Sequence, residues 1–143
     1  MSAAIIPRLP DWAMRLDDLI RRRRARPFEW GRHDCAIFAA DAVLAMTDRD
    51  LAAGLRGLGV RQALRHVRAV GGMCHLVPDG LPPLTHTALA IEGDIALIEQ
   101  PARGFKRLAL GVVVGGAVLG PARAGLASMP MHCAVQCWGV GHG

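Results

Sequence analysis

The run Arg26 to Ala45, RPFEWGRHDCAIFAADAVLA, constrains the fold more than any other stretch, because it places a cysteine at the mouth of a helix. Pro27 and Gly31 mark a loop, and Asp34 is a residue type that caps helix N-termini. Cys35-Ala36-Ile37-Phe38-Ala39-Ala40 then opens an apolar helix with Cys35 in its first position. A thiol there faces the positive end of the helix dipole and several unpaired backbone N–H groups, and both favour the thiolate, the reactive form of cysteine. Ala36, Ala39, Ala40, Ala42 and Ala45 let this helix lie close against a sheet, so the stretch predicts a buried central helix. The competing reading of Cys35 is a small buried hydrophobe without chemistry.

The phrase Phe28-Glu29-Trp30-Gly31-Arg32-His33-Asp34-Cys35 resembles the nucleophile motif of the NlpC-type cell-wall cysteine peptidases. It is closer still to the F-x-W-G-x-x-D-C phrase of a phage and prophage tail-protein branch related to them. The likeness extends more weakly through Gly93-Asp94 and Leu110-Gly111-Val112-Val113-Val114-Gly115 to Trp138. It implies an α+β, papain-like fold, with N-terminal helices and a central cysteine-bearing helix packed on a C-terminal, mostly antiparallel β-sheet. It also implies that Cys35 holds the nucleophile position. In the enzymes a histidine opens the strand that reads roughly His-Val-Gly-Ile-Tyr-x-Gly. The matching strand here starts at Ala109, which cannot carry a proton.

Cysteine hydrolysis needs a thiolate, a histidine that moves the proton, a group that orients the histidine, and N–H donors for the oxyanion. Three histidines are candidates to replace the missing base. His33 is a neighbour of Cys35 but precedes the helix cap, whereas His86 and His132 each precede a β segment and reach the cleft if the sheet order allows. Asp34 is read as the cap of the helix and Asp94 as a turn residue. A metal reading rests on His132, Cys133 and Cys137 with Cys74. On a strand, however, positions 133 and 137 lie about 13 Å apart at roughly 3.3 Å per residue, so the reading is that no metal and no cofactor is bound.

With 143 residues and 52% hydrophobic content, the chain fits one domain with a real core. The start, MSAAIIPRLPDW, lacks the features of a secretory signal. No apolar run reaches the roughly 18 residues that span a bilayer. The expectation is synthesis in a bacterial cytoplasm, with the four cysteines reduced. The net charge of +5 is densest at Arg21-Arg22-Arg23-Arg24. Cations are favourable at a helix C-terminus, and no nucleic-acid-binding signature accompanies them, so nucleic acid is not an expected partner.

Along the chain, residues 1–10 read as an irregular arm available to a neighbour, 11–72 as a helical half and 88–140 as a β half. A helix runs from Trp12 to about Arg24, with Asp17–Arg21 and Asp18–Arg22 at i, i+4 spacing. A short helical piece is expected around Leu51 to Leu55. An amphipathic helix follows from Val60 to Val70, with Val60, Leu64 and Val67 facing inward. A strand or turn is expected at Cys74 to Val77. Strands are then predicted over Ala88–Ile91, Asp94–Ile98, Leu108–Val114, Ala117–Leu119, Gly125–Met129 and Cys133–Val140. Glu99–Lys106 and Gly120–Ala124 are read as loop and turn, and Gly115-Gly116 as a hairpin turn.

The functional expectation is a structural component of a phage or prophage tail tip or baseplate hub. It would reside in the virion tail, contact other tail-tip proteins and peptidoglycan, and lack catalytic activity. The alternative is an active cysteine peptidase or amidase that cuts peptidoglycan peptides, with Cys35 as nucleophile and His86 or His132 as base.

Overall fold

The computed structural model describes residues 4–69, 71, 72, 76–102 and 105–143. Three helices come first: α1 over Trp12–Arg23, α2 over Cys35–Thr47 and α3 over Val60–Ala69. Five strands follow: β1 over Ile95–Ala102, β2 over Phe105–Val114, β3 over Ala117–Ala122, β4 over Gly125–Pro130 and β5 over Ala134–Trp138. They form one antiparallel sheet in the order β4-β3-β2-β1-β5. The architecture is therefore α+β.

Apart from Asp41 and the terminal Thr47, helix α2 is apolar all round, and a helix of that kind must be enclosed. Leu16, Leu19 and Ile20 of α1 share one cluster with Phe38, Ala39 and Val43 of α2. That cluster continues into Ile95, Leu97, Leu110, Val112 and Trp138 on one face of the sheet. The opposite face carries a second cluster, Ala96, Ile98, Val113, Val118 and Cys137, covered by Leu84, Ala90 and Met131. Both faces are thus buried, which explains why β1 and β2 read as nearly unbroken apolar runs.

On the outer side of α1, Arg21 pairs with Asp17 at 3.2 Å and Arg22 with Asp18 at 3.0 Å. Gly115 and Gly116 both have positive φ, 59° and 76°, and close the β2–β3 hairpin. Gly125, at φ 131°, lets the chain after α1 cross the β3–β4 turn: a Cβ there would stand 2.3 Å from the Arg24 carbonyl oxygen.

Several elements differ from the sequence reading, each for an identifiable reason. The stretch Glu99–Lys106 is not a loop, since β1 and β2 pair as far as Pro101 with Lys106 and Ala102 with Phe105. Pro101 is tolerated because β5 leaves β1 at Ile98, so beyond that point one side of β1 is an edge. Pro121 is accommodated in the same way. β2 pairs β3 only as far as Leu119, and β3 runs on to Ala122 against β4 alone.

Segment Ala88–Ile91 is not a strand; Thr87–Leu89 is a 3-10 turn capped by the His86 side chain. Met131–Cys133 is another such turn, and β5 starts only at Ala134. Leu51–Leu55 forms turns rather than a helix. Helix α3 adds nothing to the core: Val60 and Leu64 are exposed by 44% and 53% instead of facing inward. Val70, and Cys74 at the start of the predicted Cys74–Val77 segment, lie outside the described residues.

The N-terminal arm is also placed differently. From residue 4 onward it packs on its own domain, with Ile6 buried and the Leu9 N–H donating to the Met46 carbonyl at 2.7 Å. Arg8 lies 4.1 Å over the ring of Trp12. Its Nε donates to the Val140 carbonyl at 2.5 Å and its Nη2 to Asp94 Oδ1 at 3.2 Å.

Asp94 closes the turn that opens β1, as expected, and its carboxylate is fully buried. It also accepts from the backbone N–H of Ile91 at 2.8 Å and of Val140 at 3.0 Å, and His142 Nε2 stands 2.6 Å from Oδ2. One acid therefore fastens both ends of the described chain to the start of β1. Replacing Asp94 by Ala strands a buried guanidinium, and a loss of about 3–5 kcal/mol is expected in urea unfolding. A loss below about 1 kcal/mol would mean that the clasp does not hold the ends.

Candidate functional site at the Cys35 helix

The loop before α2 is built around Asp34. Its Oδ1 accepts from the Ile37 N–H at 2.9 Å, the N-cap bond, and its Oδ2 accepts from the Gly31 N–H at 2.8 Å. Both carboxylate oxygens are therefore occupied in shaping the loop. Gly31 has φ 77°, and a Cβ there would stand 2.2 Å from the Leu58 carbonyl oxygen, so the Trp30-Gly31 pair reflects a close backbone crossing. Beside it, Phe28 and Trp30 meet edge to face at 4.9 Å, and Trp30 is left 46% exposed.

Cys35 is partly buried at the first position of α2. It sits in a pocket of about 90 Å³ whose walls are Trp30, Leu55, Leu64, Val67 and Leu76, with Asp34 beside it. Burial raises the pKa of the thiol, and the nearby Asp34 carboxylate adds to the rise; backbone hydrogen bonding at Leu110 and Ala36 opposes it. This direction is opposite to the one expected from the helix end alone. A helix dipole contributes roughly 0.3–1 kcal/mol, and up to about 2 in favourable sites. Desolvation can shift a buried group by several pKa units, at about 1.4 kcal/mol per unit.

The candidate bases are not brought to the thiol. His33 is completely buried, 3.2 Å from Arg23 Nη1 through its Nδ1 and edge to face with Phe38. Arginine can only donate, which makes Nδ1 the acceptor and puts the proton on Nε2. Nε2 has no partner among the described residues. Burial lowers the His33 pKa, and the charges of Arg23 and Arg26 lower it further.

His86 spends its Nδ1 accepting from the Ala88 N–H at 3.0 Å. It lies in the segment between Leu84 and Ala90, which packs on the sheet face turned away from α2. His132 is exposed between Met131 and Cys133, which pack on that same far face. Ala109 also packs there, while its neighbour Leu110 faces α2. With side chains alternating along a strand, even a histidine at 109 would point away from Cys35 in this register. Among the described residues no imidazole hydrogen-bonds the thiol.

Among the described residues, the other cysteines carry no comparable site. Cys137 is buried on the far face, where burial and the charge of Asp94 push its thiol up to about 11. Cys133 lies nearby and partly buried, whereas Cys74 lies outside the described residues. Among the described residues, no group of three or more His, Cys, Asp or Glu side chains could hold a metal ion. No helix among them is long and apolar enough to cross a membrane.

Sequence reasoning missed the charge network beneath α2. Asp41, buried in mid-helix, stands 2.8 Å from Arg23 Nη1 and 2.8 Å from Arg56 Nη1, and Arg56 also bonds Asp50. The arginine run thus divides, with Arg21 and Arg22 in surface pairs and Arg23 turned inward against Asp41 and His33. An acid amid an otherwise apolar helical run was the available signal, and its partners are distant in sequence.

Two measurements check this description. Cys35 should alkylate at least about tenfold more slowly than in the unfolded chain near neutral pH, with a midpoint above the 9.0 of a free thiol, followed by peptide mass spectrometry. A midpoint well below about 8.5, the ordinary value of a cysteine thiol, would show an activated thiolate. His33 stays neutral on folding, so below its ordinary pKa of 6.5 the unfolded chain binds more protons than the folded one. Stability is then complete above that pH and falls as acid is added. His33→Gln should flatten the slope of unfolding free energy between about pH 6.5 and 5. An unchanged slope would remove His33 as its source.

No curated protein and no solved structure matches the chain. A family model described as a domain of unknown function, DUF6950, matches residues 7–140, from the Arg8 arm to the end of the sheet. The chain that builds this capped cysteine helix on an antiparallel sheet belongs to the DUF6950 family.

Proposed function

We propose that the protein is a structural component of a phage or prophage tail tip or baseplate hub, built on the papain-like scaffold of the NlpC-type peptidases but without their chemistry. The observation that carries this reading is the state of Cys35. It stands where a nucleophile would, first in a capped helix packed on an antiparallel sheet, yet burial raises its pKa and no imidazole among the described residues is bonded to it. The Trp30-Gly31 to Asp34-Cys35 phrase supports descent from the peptidases, because these residues still serve the geometry of the loop.

The pocket supports the inactive reading as well. Its walls are apolar apart from Cys35 and Asp34, and the Asp34 oxygens are already taken by backbone N–H groups. General base catalysis needs a group within hydrogen-bond reach of the proton it removes, and among the described residues the pocket offers none. The protein is placed by this reading in the virion tail, among other tail-tip proteins and close to peptidoglycan.

Purified sacculi incubated with the wild-type protein should release no more soluble peptide than with Cys35→Ser or with buffer. Release by wild type that is lost in Cys35→Ser would establish the amidase or endopeptidase alternative. Mass spectrometry of purified tail particles from a producing lysate should find the protein at a fixed ratio to the other tail proteins. Its absence from them would sink the assignment to the tail.

A further inference from the structure

Among the described residues, α3 is the α-helix without a buried residue. Its ten residues include no acid. At about 100° per residue its positions sort into sectors. Ala63, Val67 and also Leu64 line the Cys35 pocket. Val60 and Leu64 are 44% and 53% exposed, and Arg68, Arg61 and Arg65 continue the same stripe into solvent. Trp30, 46% exposed, lines the same pocket as Leu64 and extends the apolar part of the stripe.

The charges on this stripe differ from those on the exposed side of α1. On α1 the exposed Arg15, Arg21 and Arg22 each have an aspartate one turn earlier. The three arginines of α3 have no acidic partner among the described residues, and the whole chain carries a net charge of +5. We propose that this stripe, with Trp30, seats α3 on an anionic lipid surface.

Charge complementarity selects an anionic partner, and the apolar half of the stripe selects a lipid one. Arginines draw the helix to the headgroups, while Leu64, Val60 and the indole of Trp30 enter the headgroup boundary. A nucleic acid would use the arginines and leave Leu64 and Val60 without a role. The inference does not depend on the proposed tail-tip function, since it uses only the exposed residues of α3 and its neighbour.

Sedimentation with vesicles tests it. The full chain should pellet at low salt with vesicles of equal parts phosphatidylglycerol and phosphatidylcholine, and stay in solution with phosphatidylcholine alone. Neutralising Arg61, Arg65 and Arg68 together to Gln should weaken binding about a hundredfold, at roughly fivefold per arginine. The control pair Arg21→Gln and Arg22→Gln should change it by less than about threefold, because those charges are already paired. Leu64→Ser should weaken vesicle binding about tenfold and leave retention on duplex DNA unaltered. Circular dichroism and thermal melting confirm that each variant is folded. Failure to bind the anionic vesicles overturns the proposal, as does an equal loss in the control pair. Indifference of vesicle binding to Leu64→Ser also overturns it, and together with tight DNA retention would assign the stripe to nucleic acid.

Discussion

The close approach of an alanine-rich helix to an antiparallel sheet is the constraint on which the rest of this molecule depends. Ala36, Ala39, Ala40 and Ala42 are all buried, and they let α2 lie against β2 and β3 with little side chain between. With so few large residues available, the remaining volume is filled by Phe38, Ile37, Met46 and Trp138. Interiors packed at crystal-like density leave no slack for such a helix to shift. The position of Cys35 is therefore inherited from packing along the whole of α2, and its pKa follows from being drawn into the same interior.

This placement separates two properties that a helix N-terminus is often assumed to join. The end of α2 offers a dipole and free N–H groups, but Asp34 takes the Ile37 N–H and sets its own negative charge beside the sulfur. A cap that stabilises the helix thus works against ionisation of the thiol. The same balance appears at Asp41, where a buried carboxylate within α2 is held by Arg23 and Arg56. These pairs tie α1 and the 50–56 turns to the central helix and fix its surroundings at the cost of desolvating charge.

Much of the fold was legible because local patterns agreed with tertiary demands. The capping aspartate, the alanine spacing and the arginine pairs of α1 are all local signals, and all three appear in the structure. Strand ends were less legible. The segments holding Pro101 and Pro121 read as loop and turn, and whether a proline breaks a strand depends on whether a neighbour pairs on its N–H side, which is set by sheet order. The candidate site was legible only at Cys35 and its loop. Which face of the sheet receives Ala109, His86 or His132 depends on strand register and on connections that sequence spacing does not determine. Asp94 was legible as the turn residue that opens β1, but not its clasp, because its partners Arg8, Val140 and His142 come from opposite ends of the chain.

That arrangement has a mechanical corollary. Arg8 near one end, and Val140 and His142 near the other, converge on a single carboxylate at the root of β1. Tension applied between the two ends would load this short bridge directly, alongside the Leu9–Met46 and Gly139–Pro82 backbone bonds that also hold the arm and the tail.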